Sequence, residues 1–186
     1  TWTSAMLPFV VKKAGLTMND IKVVTGDSDT PLLLANKVDF LTNTTNYAIP
    51  GIIDATGKKP VQIAGAKAGV PKVPVWVYAT SKTYAKKNKD TVIRFMRAMH
   101  DATLWATTHR AEAVRDFDRA YPKSGYSHAY NVRAWNLTVP LLTTSKGDLF
   151  IQSSAEWRTM ANALKGIGQL KKVLNPTSYY TNAYVR

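Results

Sequence analysis

The hydrophobic pattern of this chain changes period near residue 80, and that change limits the folds open to it more than any other feature. Before it, short apolar runs of about four residues alternate with helix-length segments. The runs at 21–24, 38–41, 61–64 and 73–79 predict strands. Between them, 7–14 reads as the end of a helix stopped by Gly15, with Thr3 or Ser4 as its N-cap. Pro31 is expected at the first position of a second helix that ends near Asn36, and 47–55 reads as a third, ended at Gly57. Strand alternating with helix predicts an α/β unit with a mainly parallel sheet. Apolar runs with little alternation suit a sheet covered on both faces.

Beyond residue 80 the pattern is helical. Ser81 is a good N-cap for a helix from Lys82, and a longer helix starts near Asp90. In that helix Val92, Phe95, Met96, Met99, Thr103 and Ala106 recur at helical spacing. Segments 111–120, 131–142 and 154–164 read as further helices, the last with Trp157, Met160, Ala161 and Leu164 on one face. The stretch 175–186 is rich in aromatics and lacks a long period. The expected organisation is an α/β part over 1–80 and a helical part over 81–186.

Composition excludes several chemistries. With no cysteine among the 186 residues, disulfides, thiolate metal sites and cysteine nucleophiles are ruled out in this stretch. The lack of cysteine also fits an oxidising compartment. His100, His109 and His128 have no metal-ligand spacing with one another. His100 and Asp101 are adjacent in a helix and so do not face each other. No Gly-x-Ser-x-Gly, P-loop or dinucleotide fingerprint occurs. No enzyme, cofactor or metal is therefore expected. No apolar run approaches the roughly 20 residues that span a bilayer. The opening Thr1-Trp2-Thr3-Ser4 has neither initiator Met nor a basic n-region, so the chain is expected to be processed, trimmed or a fragment. Lys and Arg total 25 against 12 Asp and Glu, a net charge of +13 spread as pairs such as Lys12-Lys13 and Lys86-Lys87. Two readings stand: a solvated basic surface, or attraction to an anionic membrane, nucleic acid or solute. Nucleic acid is not expected, because no binding motif accompanies the charge.

The order of features from about residue 4 onward resembles the NMT1/THI5-like family of ABC-transporter solute-binding proteins. Ala14-Gly15-Leu16-Thr17-Met18-Asn19-Asp20-Ile21 looks like its "Gly-Leu, then Asp-Ile/Val, then strand" segment. Residues 31–35 followed by Asn36-Lys37-Val38-Asp39-Phe40 resemble its "helix, Gly-Lys/Ser-Val-Asp-Ala" signature, with Asn36 in place of Gly and Phe40 in place of Ala. Residues 77–85 resemble the strand and helix start that follow the second lobe. Residues 88–98, with Val92, Arg94 and Phe95, resemble the "Pro-Asp-Val-Val-Arg-Phe-Leu-Arg-Ala" helix. Trp105, His109, Arg110, Glu112 and Ala113 follow as that family's "Trp…His-Pro-Glu-Ala" does, with Arg110 replacing Pro. The resemblance implies a type II periplasmic-binding-protein-like fold of two lobes, with the first lobe incomplete here. It implies a monomer in the periplasm, or tethered to the outer surface by a lipid anchor outside this chain. Its partners would be a small polar or anionic solute, held between the lobes by hinge closure, and an ABC permease. The catalytic branch of the family, the pyrimidine synthases of thiamine biosynthesis, carries a Cys-rich motif that this chain lacks.

In open α/β folds ligands gather beyond strand ends and at helix N-termini. Three loops match. The first contains Thr3 and Ser4, which either hold a ligand or cap a helix. The second is 26–30, where Asp27 could meet an amine on the ligand, although capping or solvation is the plainer reading. The third, 42–47, supplies Thr42, Asn43 and Asn46 as neutral hydrogen-bonding groups suited to a polar organic solute. Asn46 could equally serve as an N-cap. Trp76 and Tyr78, two apart on a strand, would share one face as an aromatic wall or as core. The rival reading is a non-catalytic α/β interaction domain whose basic face binds an anionic surface, membrane or nucleic acid.

Overall fold

A helix closes its hydrogen bonds within its own segment, whereas a strand must find a partner elsewhere in the chain. The computed structural model, which describes residues 2–24, 29–73, 75–142 and 148–185, follows the first rule throughout. Its α-helices are α1 (Trp2–Lys13), α2 (Asp29–Leu34), α3 (Thr45–Thr56), α4 (Lys82–Lys87), α5 (Lys89–Thr108), α6 (Arg110–Ala120), α7 (His128–Thr138) and α8 (Ser154–Gly166). Short 3-10 turns lie at Met18–Asp20, Val139–Leu141 and Pro176–Ser178.

The α/β expectation is overturned, and with it the two-lobed, type II periplasmic-binding-protein-like fold. Among the described residues there is no strand ladder, and Leu149 alone sits in an isolated bridge. The segments 21–24, 38–41 and 61–64, and the described part of 73–79, are neither helical nor paired. Val61 is 98% exposed and Trp76 79%, so these runs are not core strands. A short apolar run fixes a preference for extended backbone but not a partner, and without one no sheet forms.

The described contacts gather into two compact units: Thr1–Pro71 with Val114–Thr138, and Lys72–Ala113 with Val139–Arg186. In the first unit, α1 buries Ala5, Met6, Leu7 and Val11, and α3 buries Ala48, Ile49, Pro50 and Ile52. Burying each large aliphatic side chain contributes about 1.5–3 kcal/mol. α3 stops where Gly57 adopts φ +68° and returns its N–H to the Ile53 carbonyl at 2.8 Å. Asn36, standing where the family signature has Gly, adopts φ +54°, a conformation Asn tolerates better than most residues. Gly69, at φ +89°, lies so close to α1 that a Cβ would come within 2.8 Å of the Lys13 Cβ and 3.0 Å of the Phe9 carbonyl.

α7 runs antiparallel to α3, since Asn46 pairs with Thr138 and Asp54 with Ser127. The seam is held by polar contacts along its length. Asn46 Nδ2 donates to Thr138 Oγ1 at 2.9 Å, and the Tyr130 hydroxyl donates to the Tyr47 carbonyl at 3.2 Å. At the other end the Ser127 hydroxyl donates to Asp54 at 2.7 Å, and Arg133 pairs with the same carboxylate. Beside the seam, His128 Nδ1 meets Asp118 at 2.5 Å, and Asn131 Nδ2 donates to its other oxygen at 2.6 Å. These two hydrogen bonds, His128 first, hold the Asp118 carboxyl below its ordinary value.

In the second unit, the Ser81 hydroxyl accepts the Tyr84 N–H at 3.1 Å, capping α4 as the sequence predicts. Ala85, Met96 and Ala161 are buried on α4, α5 and α8. Trp157 stacks against Tyr179 and Tyr180, each at 6.1 Å, and its indole N–H donates to Gln152 at 2.9 Å. Tyr78 meets Phe95 and Phe150 edge-on at 5.7 and 5.6 Å.

Tyr130 supplies a pH test of the seam. Its ring is buried and stacks on Tyr126 at 4.4 Å. Burial, then the nearby phenols of Tyr126 and Tyr47, push its hydroxyl up to about 12. An unfolded tyrosine ionises near about 10. The stability this proton carries is therefore complete below pH ~10 and is lost between about 10 and 12, where only the unfolded chain deprotonates. Chemical denaturation of wild type should weaken across that window. Tyr130→Phe should flatten the dependence there while costing about 1 kcal/mol at neutral pH for the lost hydrogen bond.

Candidate functional site

The first unit brings two of the expected polar residues, Thr3 and Thr42, together beside the loop that leads into α3. α1 carries Thr3 in its first turn, and the loop before α3 carries Thr42; their hydroxyl oxygens lie 3.0 Å apart. Thr42 donates its hydroxyl proton to Thr3 Oγ1, so Thr3 keeps its own proton for a third group.

Asn46, four residues on from Thr42, supplies the complementary group. Thr138 donates its hydroxyl proton to the Ala134 carbonyl at 2.8 Å, so it can only accept from Asn46, which fixes Nδ2 toward it. The other end of the amide, Oδ1, is a buried acceptor with no hydrogen-bond partner. Leaving such an atom unsatisfied costs about 1–3 kcal/mol. Pro50 opens a further acceptor in the same turn. Lacking an N–H, it cannot bond the Asn46 carbonyl four residues earlier.

The remaining expected residues fall as follows. Ser4 is exposed on α1. Asn43 is exposed, and its side-chain oxygen braces the loop by accepting the Thr44 N–H at 2.7 Å. Asp27 lies outside the described residues. Trp76 belongs to the second unit. Sequence reading missed Thr138, which orients Asn46 from 92 positions away. It also missed Gln62, whose amide donates to Thr45 at 3.2 Å. Nothing local to either residue signals these pairings.

A second concavity lies at the end of α6, an open cup of about 550 Å³ lined by Phe117, Ala120, Tyr121, Pro122, Lys123 and Ser124. Its walls are mainly apolar, with one cation from Lys123. Catalytic geometry is not assembled at the seam: the Ser127 hydroxyl is committed to Asp54 and the His128 ring to Asp118, so nucleophile and base are not joined. Among the described residues no group of His, Asp and Glu is placed to hold a metal ion. Among the same residues no helix is long and apolar enough to cross a membrane.

Hydroxyls and a carboxamide of this kind can exchange hydrogen bonds with a small polar molecule. The family model described as NMT1/THI5 like matches residues 2–113, well over half of the chain, and the chain belongs to that family. Its members are mostly solute-binding, non-enzymatic proteins of the ABC-transporter type. No curated protein and no solved structure matches the chain.

The pairing of Thr3 with Thr42 can be measured directly. A double-mutant cycle of Thr3→Val and Thr42→Val should give a coupling of about 0.5–1.5 kcal/mol in denaturant titrations. A coupling indistinguishable from zero would mean that the two hydroxyls do not meet in solution.

Proposed function

We propose that this protein is the solute-binding component of an ABC importer, taking up a small polar organic solute at the Asn46 corner and passing it to a permease. In this reading it works without catalysis or cofactor, as a monomer, in the periplasm or tethered to the outer surface. Membership of the NMT1/THI5-like family supports the class. The observation that carries the site is the buried, unpartnered Asn46 Oδ1, flanked in sequence by the Thr42 hydroxyl that meets Thr3. The solute this corner suits carries at least one N–H or O–H donor for Asn46 and one acceptor for the hydroxyl pair. Amino-substituted heterocycles and amides meet that requirement. Nitrate has no donor, and a sulfonate meets it only through another part of its molecule.

The test is a thermal-shift screen against pyrimidines, amides, amino-acid-like solutes, sulfonates and nitrate. One solute should stabilise the protein, by about 2.7 kcal/mol when present at a hundredfold excess over Kd. Asn46→Leu should abolish that response and leave the unliganded protein close to wild-type stability, because it removes an unsatisfied polar atom along with one hydrogen bond. A stabilising solute whose effect survives Asn46→Leu would move the site elsewhere. Absence of any responder would remove support for solute binding.

A further inference from the structure

The longest run of exposed apolar side chains lies outside the polar corner. Residues 75–84 are all exposed, and they include Val75, Trp76, Val77, Tyr78 and Tyr84. Trp76 is 79% exposed, Tyr78 52% and Tyr84 50%. Large apolar groups gathered this way in a protein mark a surface that meets something else. What they meet is indicated by the charges beside them. Lys82, Lys86, Lys87 and Lys89 follow directly, all exposed, and no acidic residue occurs between Lys72 and Asp90. Among the described residues none of these four lysines forms an ion pair, whereas Lys72 pairs with Glu156. On α4, Ala85 is the buried position. At 100° per residue, the opposite arc carries Thr83, Lys87, Lys86 and Tyr84.

We infer that this stretch, residues 75–89, is a docking surface for an anionic lipid bilayer. Trp76 and the flanking valines enter the headgroup–acyl boundary, Tyr84 lies at headgroup level, and the lysines pair with lipid phosphates. Trp and Tyr favour the membrane interface because each joins an apolar ring to a polar edge. Lysines close to the surface add electrostatic attraction to anionic lipid. The composition favours lipid over nucleic acid. Residues 75–89 contain no Arg, the side chain best suited to phosphate forks and base stacking, and the exposed valines have no counterpart in a nucleic-acid ligand. A second copy of the chain is disfavoured by the +13 charge both copies would carry. This surface is independent of solute binding.

The experiment is co-sedimentation of the full chain with vesicles of phosphatidylcholine alone and of phosphatidylcholine with an equal part of phosphatidylglycerol. The protein should partition onto the anionic vesicles, not the neutral ones, and high salt should release it. Lys86→Glu with Lys87→Glu should weaken partitioning by at least about 25-fold, at about fivefold per lysine removed from the surface. Lys171→Glu with Lys172→Glu makes the same charge change outside the surface and should weaken it far less. Trp76→Ala should also weaken it, with an unchanged circular dichroism spectrum because the side chain is exposed. Equal losses in the two lysine pairs would overturn the proposal, since diffuse charge would then be responsible. So would wild-type partitioning by Trp76→Ala, partitioning onto neutral vesicles as strong as onto anionic ones, or binding to a single-stranded oligonucleotide with no partition onto vesicles.

Discussion

The antiparallel seam between α3 and α7 is the contact on which the first unit depends. It joins segments some seventy to ninety positions apart, and its bonds run from Asn46–Thr138 at one end to Asp54 with Ser127 and Arg133 at the other. Between them lie the buried face of α3 and the buried Tyr130 ring. Polar ends around an apolar middle fix the register: sliding either helix by one turn would strand Asp54 away from its cation and Tyr130 away from its carbonyl. The candidate site inherits its geometry from that register. Asn46 points its amide as it does because Thr138, at the far end of α7, can only accept.

Helices were legible in the sequence because their signals are local. Gly15 and Gly57 end α1 and α3 with positive φ, Ser81 caps α4, and the apolar spacing from Val92 to Ala106 falls inside α5. Asn36 carries the left-handed turn that its place in the family signature demanded of a Gly. Boundaries shifted by a few residues, as with Pro31, which lies at the third position of α2 rather than the first. The strands failed for the converse reason. Residues 61–64 and 75–79 have strand composition, but pairing is a property of two segments, and composition reports only one.

The candidate site was legible in part. A run of neutral hydrogen-bonding residues directed attention to Thr42 and Asn46, and helix-start chemistry to Thr3. That Thr3 meets Thr42, and that Asn46 is aimed by Thr138, follows from tertiary packing and has no trace in either neighbourhood. The prolines were visible from the outset, yet their meaning depends on helix placement: only once Pro50 lies within α3 does its missing N–H deny the Asn46 carbonyl its usual helical partner.

The stretch from Val75 to Thr80 carries a second consequence. It is six residues of high β-propensity with no charge and no proline, the composition from which intermolecular zippers nucleate. Pro71 and Pro74 stand before it, and Lys82, Lys86 and Lys87 after it. These residues are gatekeepers in the sense that applies to aggregation: the prolines cannot extend a ladder and the lysines repel a second copy in register. Neutralising those lysines, by acetylation or at very high salt, would therefore remove a barrier to self-association at a segment with the composition to exploit it.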